Sequence, residues 1–174
     1  MIRDTGILRL AAVAVLPGLA VLGVFDAAVS AAALEHPIVV SETQEGVVGV
    51  TGTRWTVDPD GVWRIEKFVN NEIAKFPRRG ALAPDALACL EDMVTRHGIA
   101  TLPDLSRVGP RVNRRSLTIE HAGRRATVVL AGAGEPANPA ALSEAVRKAG
   151  RQRITAIADS MRDALSGKGC KRKN

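Results

Sequence analysis

Between Thr53 and Val69 the chain reads as strand, turn and strand, and this passage constrains the fold more than any other. Thr53-Arg-Trp-Thr-Val57 alternates, Asp58-Pro-Asp-Gly61 interrupts, and Val62-Trp-Arg-Ile-Glu-Lys-Phe-Val69 alternates again. Asp, Pro, Asp and Gly in that order suit a type I turn closed by a left-handed glycine, the bulged hairpin connection. Such a turn sets a register. Val57 falls opposite Trp63 and Trp55 opposite Ile65 on one face; Arg54 meets Glu66 and Thr56 meets Arg64 on the other. A slip by one residue would mix the apolar set with the charged pair. Trp55 and Trp63 are therefore assigned to the core. Aromatic residues make up 3% of the chain and Tyr is absent. The rest of the core must be aliphatic, and little remains on which bases could stack.

The same logic finds a second hairpin. Ser116-Leu-Thr-Ile-Glu-His121 and Arg124-Arg-Ala-Thr-Val-Val-Leu130 alternate about Ala122-Gly123, with Leu117, Ile119, Ala126, Val128 and Leu130 as core candidates. A helix is expected over Pro84 to His97, opened by a first-turn proline and closed by Gly98. Leu87, Leu90, Met93 and Val94 form its apolar stripe, and His97 is expected to donate to the free carbonyls of the last turn. A second helix should start at Asn138-Pro139 and run to Gly167. Gly150 and Arg153 fall on its apolar face, which predicts a bend or break there. Asn70 to Gly80 reads as a loop. The element order is β-β-α-β-β-α, an α+β fold in which one antiparallel sheet carries two helices on one face.

The N-terminus reads as an address. Arg3 and Arg9 precede the apolar run Leu10 to Phe25, and small residues follow from Ala27 to Ala33. That is the layout of a secretory signal peptide over residues 1–31, with cleavage after Ala31 or Ala33. An uncleaved membrane anchor is the alternative, but the run is shorter than the roughly 20 residues a bilayer needs and Pro17-Gly18 interrupts it. The protein is thus expected to be exported, to the periplasm or beyond. Residues 32–50 read as an exposed lead-in, with a short strand at Pro37-Ile-Val-Val40. The domain is placed at 51–166, and 167–174 is a basic disordered tail. Export permits a disulfide between Cys89 and Cys170. Because Cys170 sits in that tail, two unpaired thiols are expected instead.

Motifs for chemistry are sparse. Gly132-Ala-Gly-Glu-Pro-Ala137 matches a dinucleotide fingerprint, yet no further strand follows to carry the ribose-binding acid. Asp58-Pro-Asp-Gly61 lacks the downstream acids of a calcium loop. His36, His97 and His121 are dispersed, and neither His nor Cys occurs at zinc-ligand spacing. No catalytic, cofactor-binding or metal-binding residue is assigned, no cofactor is expected, and the protein is read as a non-enzyme. Charge says more: 24 Lys and Arg against 18 Asp and Glu leave +6, and the N-terminal charges cancel. An anion-binding surface is expected at Arg111, Arg114, Arg115, Arg124 and Arg125.

Several passages together resemble a known family. Gly80-Ala-Leu with Pro84, Leu87 and Leu90, then Ile99-Ala-Thr-Leu-Pro103, a hairpin around His121-Ala-Gly-Arg-Arg125, and a C-terminal helix resemble the emfourins, small inhibitors of thermolysin-like metalloproteases. The similarity spans about residues 51 to 166 and carries over no site residue. It implies an exported binding domain related to protease inhibitors. A basic envelope-associated protein that holds anionic surfaces is the alternative, and an enzyme of unrecognised type is the other. The expected partner is a protein, a protease among them, or an anionic envelope component; nucleic acid is not expected.

Overall fold

The computed structural model describes residues 34–47, 49–73, 76–108, 113–132, 135–136 and 142–170. The signal-like segment 1–31, Arg111, the Asn138-Pro139 cap and residues 171–174 lie outside them. In chain order the elements are β1 (Ile38–Gly46), β2 (Gly49–Val57), β3 (Val62–Val69), β4 (Glu72–Ile73), β5 (Arg78–Ala81), α1 (Pro84–His97), β6 (Arg107–Val108), β7 (Arg114–His121), β8 (Arg124–Ala131), β9 (Glu135–Pro136) and α2 (Glu144–Leu165). A 3-10 turn, Ile99–Thr101, follows α1. The fold is α+β: a seven-stranded antiparallel sheet in the order β4-β3-β2-β1-β7-β8, with β5 also paired to β3. The small pair β6-β9 stands apart from it.

Both expected hairpins form. Val57 opposes Trp63, Trp55 opposes Ile65, Arg54 opposes Glu66 and Thr56 opposes Arg64. Gly61 takes the left-handed conformation at φ 81°. At the other hairpin Ala122 and Gly123 both have positive φ, the turn whose twist matches the strands it joins. Helix α1 has the expected limits, and Leu87, Leu90, Met93 and Val94 are all buried.

The lead-in assignment is corrected. Residues 38–46 form β1, which pairs with β2 on one side and β7 on the other. It is the strand that fuses the two hairpins into one sheet. Ile38 and Val40 are fully buried and Leu34 joins the same core. The alternation was obscured because Glu42 occupies the next helix-facing position. Its carboxylate accepts from Arg115 of β7 and, at 2.8 Å, from Arg162 of α2. A partly buried carboxylate held by two guanidinium groups is tolerable where an unpaired one would not be. Arg162 also lies over the Trp55 ring, 4.9 Å from its centroid. Trp55 and Trp63 are half-buried and pack against the core.

The packed unit also reaches further toward the C-terminus than 166. Cys89 and Cys170 are joined in a disulfide, which overturns the unpaired thiols and ties down the segment read as a free tail through Cys170. Cys89 is carried on the buried side of α1, so the bond staples the chain beyond α2 to that helix. The loop over 70–80 is corrected as well: β4 and β5 lie along the outer edge of β3.

Helix α2 does not break at Gly150, which is buried within one continuous helix. A Cβ there would come within 2.8 Å of Pro103 Cγ and 3.2 Å of Leu105 Cδ1. The glycine marks a close crossing and its cost in helix propensity is offset by contact. Arg153 has an equally specific task. Its guanidinium donates to the His97 carbonyl, to Gly98 O at 3.2 Å and to Thr101 Oγ1 at 2.9 Å. Arg153, not His97, thus satisfies the carbonyls at the end of α1.

Candidate functional site

Both helices cover the face that carries Val40, Val57, Leu117 and Ile119. Among the described residues no helix covers the opposite face, and strand alternation decides what lines it. Ser41, Thr43 and Glu45 come from β1, Arg54 and Thr56 from β2, Arg64, Glu66 and Phe68 from β3. Arg114, Ser116, Thr118 and Glu120 come from β7, Arg125 and Thr127 from β8. Together with Arg107 and Asp58 they surround a trough of about 1110 Å³. Five arginines and four carboxylates share this surface. They are interleaved: Arg64 approaches Asp58 at 3.4 Å and Arg125 approaches Glu120 at 3.5 Å.

Beneath the long side chains lies a layer of hydroxyls. Thr56, Ser116 and Thr118 are buried, and the Thr118 and Thr127 hydroxyls share a 3.1 Å hydrogen bond. One wall is aromatic. The Phe68 ring lies across Gly52, where a Cβ would come within 2.4 Å of it. Arg54 stacks above that ring at 5.4 Å. The trough therefore offers charge of both signs, hydroxyl donors and acceptors, and one cation-covered ring.

The expected anion surface is divided by this geometry. Arg114 and Arg115 begin β7, while Arg124 and Arg125 begin β8 at the far end of the same hairpin, about 20 Å away at a strand's rise per residue. Arg114 is buried on the open face and donates to the Arg107 carbonyl at 2.8 Å. Arg115 points to the helix face and pairs with Glu42. Arg124 is exposed at the turn. Of the described members, Arg114 and Arg125 border the trough while Arg115 and Arg124 do not, because neighbours in a strand face opposite ways.

Sequence spacing also missed a juxtaposition. His36 and His121, separated by most of the domain, bring their rings within 6.1 Å, and His121 Nδ1 lies 3.3 Å from Pro37 O. Among the described residues no group of three or more His, Cys, Asp or Glu is placed to hold a metal ion. Burial, reinforced by Arg153 and Arg96, holds the His97 imidazole below its ordinary pKa. That residue sits at the end of α1 and does not line the trough. Among the described residues no helix is long and apolar enough to cross a membrane. The chain matches no protein-family model, and a search of curated proteins finds no match.

Proposed function

We propose that the protein is an exported, non-enzymatic binding domain that engages a polypeptide through the open face of its sheet, as a relative of the small metalloprotease inhibitors. The observation that carries the reading is the charge pattern of the trough. Five arginines and four carboxylates interleave there among hydroxyl groups. A polypeptide surface presents both signs and many hydrogen-bonding groups, and complementary potentials of this kind select partner and orientation. An acidic polymer or an anionic membrane would instead be matched by a field of one sign. The disulfide supports export, since such bonds persist mainly outside the cytosol, and the resemblance to emfourins supports a protease as the partner.

The experiment mixes the purified protein with thermolysin-type metalloproteases at micromolar concentration. Inhibition and complex formation are followed by residual peptidase activity and by size-exclusion chromatography. Binding is expected, and the double charge reversal Arg54→Glu with Arg64→Glu should weaken it at least tenfold. Absence of any complex would end the inhibitor reading. A complex indifferent to the double reversal would move the interface off this face.

A further inference from the structure

A second concavity adjoins the trough at Ser106 and Arg107 and opens where α2 leaves the body of the domain. From Gly150 onward the helix is packed against the core, but its first turns are largely exposed. The close crossing of Pro103 and Leu105 pins it at Gly150. The preceding turns then stand off from the segment 104–107, and a cleft of about 430 Å³ opens between them. That volume lies in the usual range for small-molecule sites.

Its lining is sorted by chemistry. Leu105, Val128 and Leu142 supply an apolar floor, while Arg107, Arg147, Lys148 and Arg151 bring positive charge from both walls. Two acids, Asp104 and Glu144, also border it, leaving four cations against two carboxylates. Asp104 is turned into its own loop, accepting from Ser106 N at 3.0 Å and from Ser106 Oγ at 3.1 Å. Arg147 is held in place by its 2.8 Å bond to Leu142 O. Lys148 and Arg151 are exposed and lie three residues apart on α2, the spacing that puts two side chains on one helix face.

We propose that this cleft binds a small amphipathic monoanion: a short hydrocarbon body rests on Leu105, Val128 and Leu142, and its carboxylate is held by Lys148 and Arg151. An apolar floor alone would take an alcohol equally well. A basic rim alone would take inorganic phosphate. Only the combination favours a molecule with both parts, because charge-assisted hydrogen bonds and apolar burial are then satisfied at once. Ser106 and Arg107 border both concavities, but none of Leu105, Val128, Leu142, Lys148 and Arg151, the residues proposed to hold the ligand, lines the trough.

The test titrates the full chain with decanoate, with decanol and with inorganic phosphate, followed by calorimetry and by backbone amide shifts. Decanoate is expected to bind at least tenfold more tightly than either control and to shift amides around Val128 and Leu142 to Arg151. The Lys148→Gln, Arg151→Gln double variant should lose at least tenfold in decanoate affinity while its thermal melt is unchanged, since both side chains are exposed. Equal binding of decanol, equal binding of phosphate, shifts confined to another part of the domain, or unchanged affinity in the double variant would each overturn the proposal.

Discussion

Cutting the bond between Cys89 and Cys170 should lower the stability of this domain by about 4.5 kcal/mol. The two cysteines are 81 positions apart. In the chain-entropy treatment a crosslink over a loop of that length removes about 15 cal/mol/K from the unfolded ensemble, or about 4.5 kcal/mol at 25 °C. Native packing should change little. In Cys170→Ser the Cys89 thiol stays in the α1 core as a small apolar group, and the turn after α2 keeps its own bond from Lys168 N to Asp163 O at 3.1 Å. The assay is denaturant unfolding of Cys170→Ser and of the unaltered protein, the latter with and without reductant. Both perturbations should lower ΔG by a similar amount, and the melting temperature should fall by roughly 10–15 °C. A loss below about 1 kcal/mol would refute the argument that the crosslink acts by restraining the unfolded chain. Peptide mapping that finds both thiols free would refute its premise.

Three further outcomes follow from individual contacts. Gly150→Ala should destabilise by roughly 1–3 kcal/mol through overpacking against Pro103 and Leu105, although helix propensity alone predicts a gain of about 1 kcal/mol; a rise in unfolding midpoint would show that the crossing yields freely. Arg153→Gln should cost about 1–3 kcal/mol, because the α1 carbonyls lose their donor, and should raise the His97 pKa by removing a neighbouring positive charge. An NMR titration in which His97 does not move would contradict that coupling. Because the folded state holds His97 neutral to a lower pH than the unfolded chain, the unfolded state takes up the proton first as pH falls below 6.5. The stability this confers is present above that value, is lost on descending toward the folded pKa and is level below it. Melting temperatures measured between about pH 8 and about pH 5 should therefore decline, and the decline should shrink in His97→Gln.

What the amino-acid order determined by itself was local. The Asp58 to Gly61 turn set four cross-strand pairs before any long-range contact was considered, because a side chain's face follows from its distance to the turn. Pro84 and Gly98 bounded α1 for a similar reason: each acts on the backbone within a residue or two of itself. Tertiary structure decided whatever depends on a distant partner. Glu42 made β1 look exposed until Arg162, 120 positions away, supplied the opposite charge. Gly150 looked like a breaker until Pro103 and Leu105 occupied the space a side chain would need. Cys170 looked like part of a loose tail until α1 brought Cys89 to within 6.0 Å between Cα atoms. The trough combines both kinds of information. Alternation chose which side chains line it, but only the insertion of β1 between β2 and β7 gathered the two hairpins into one face wide enough to form it.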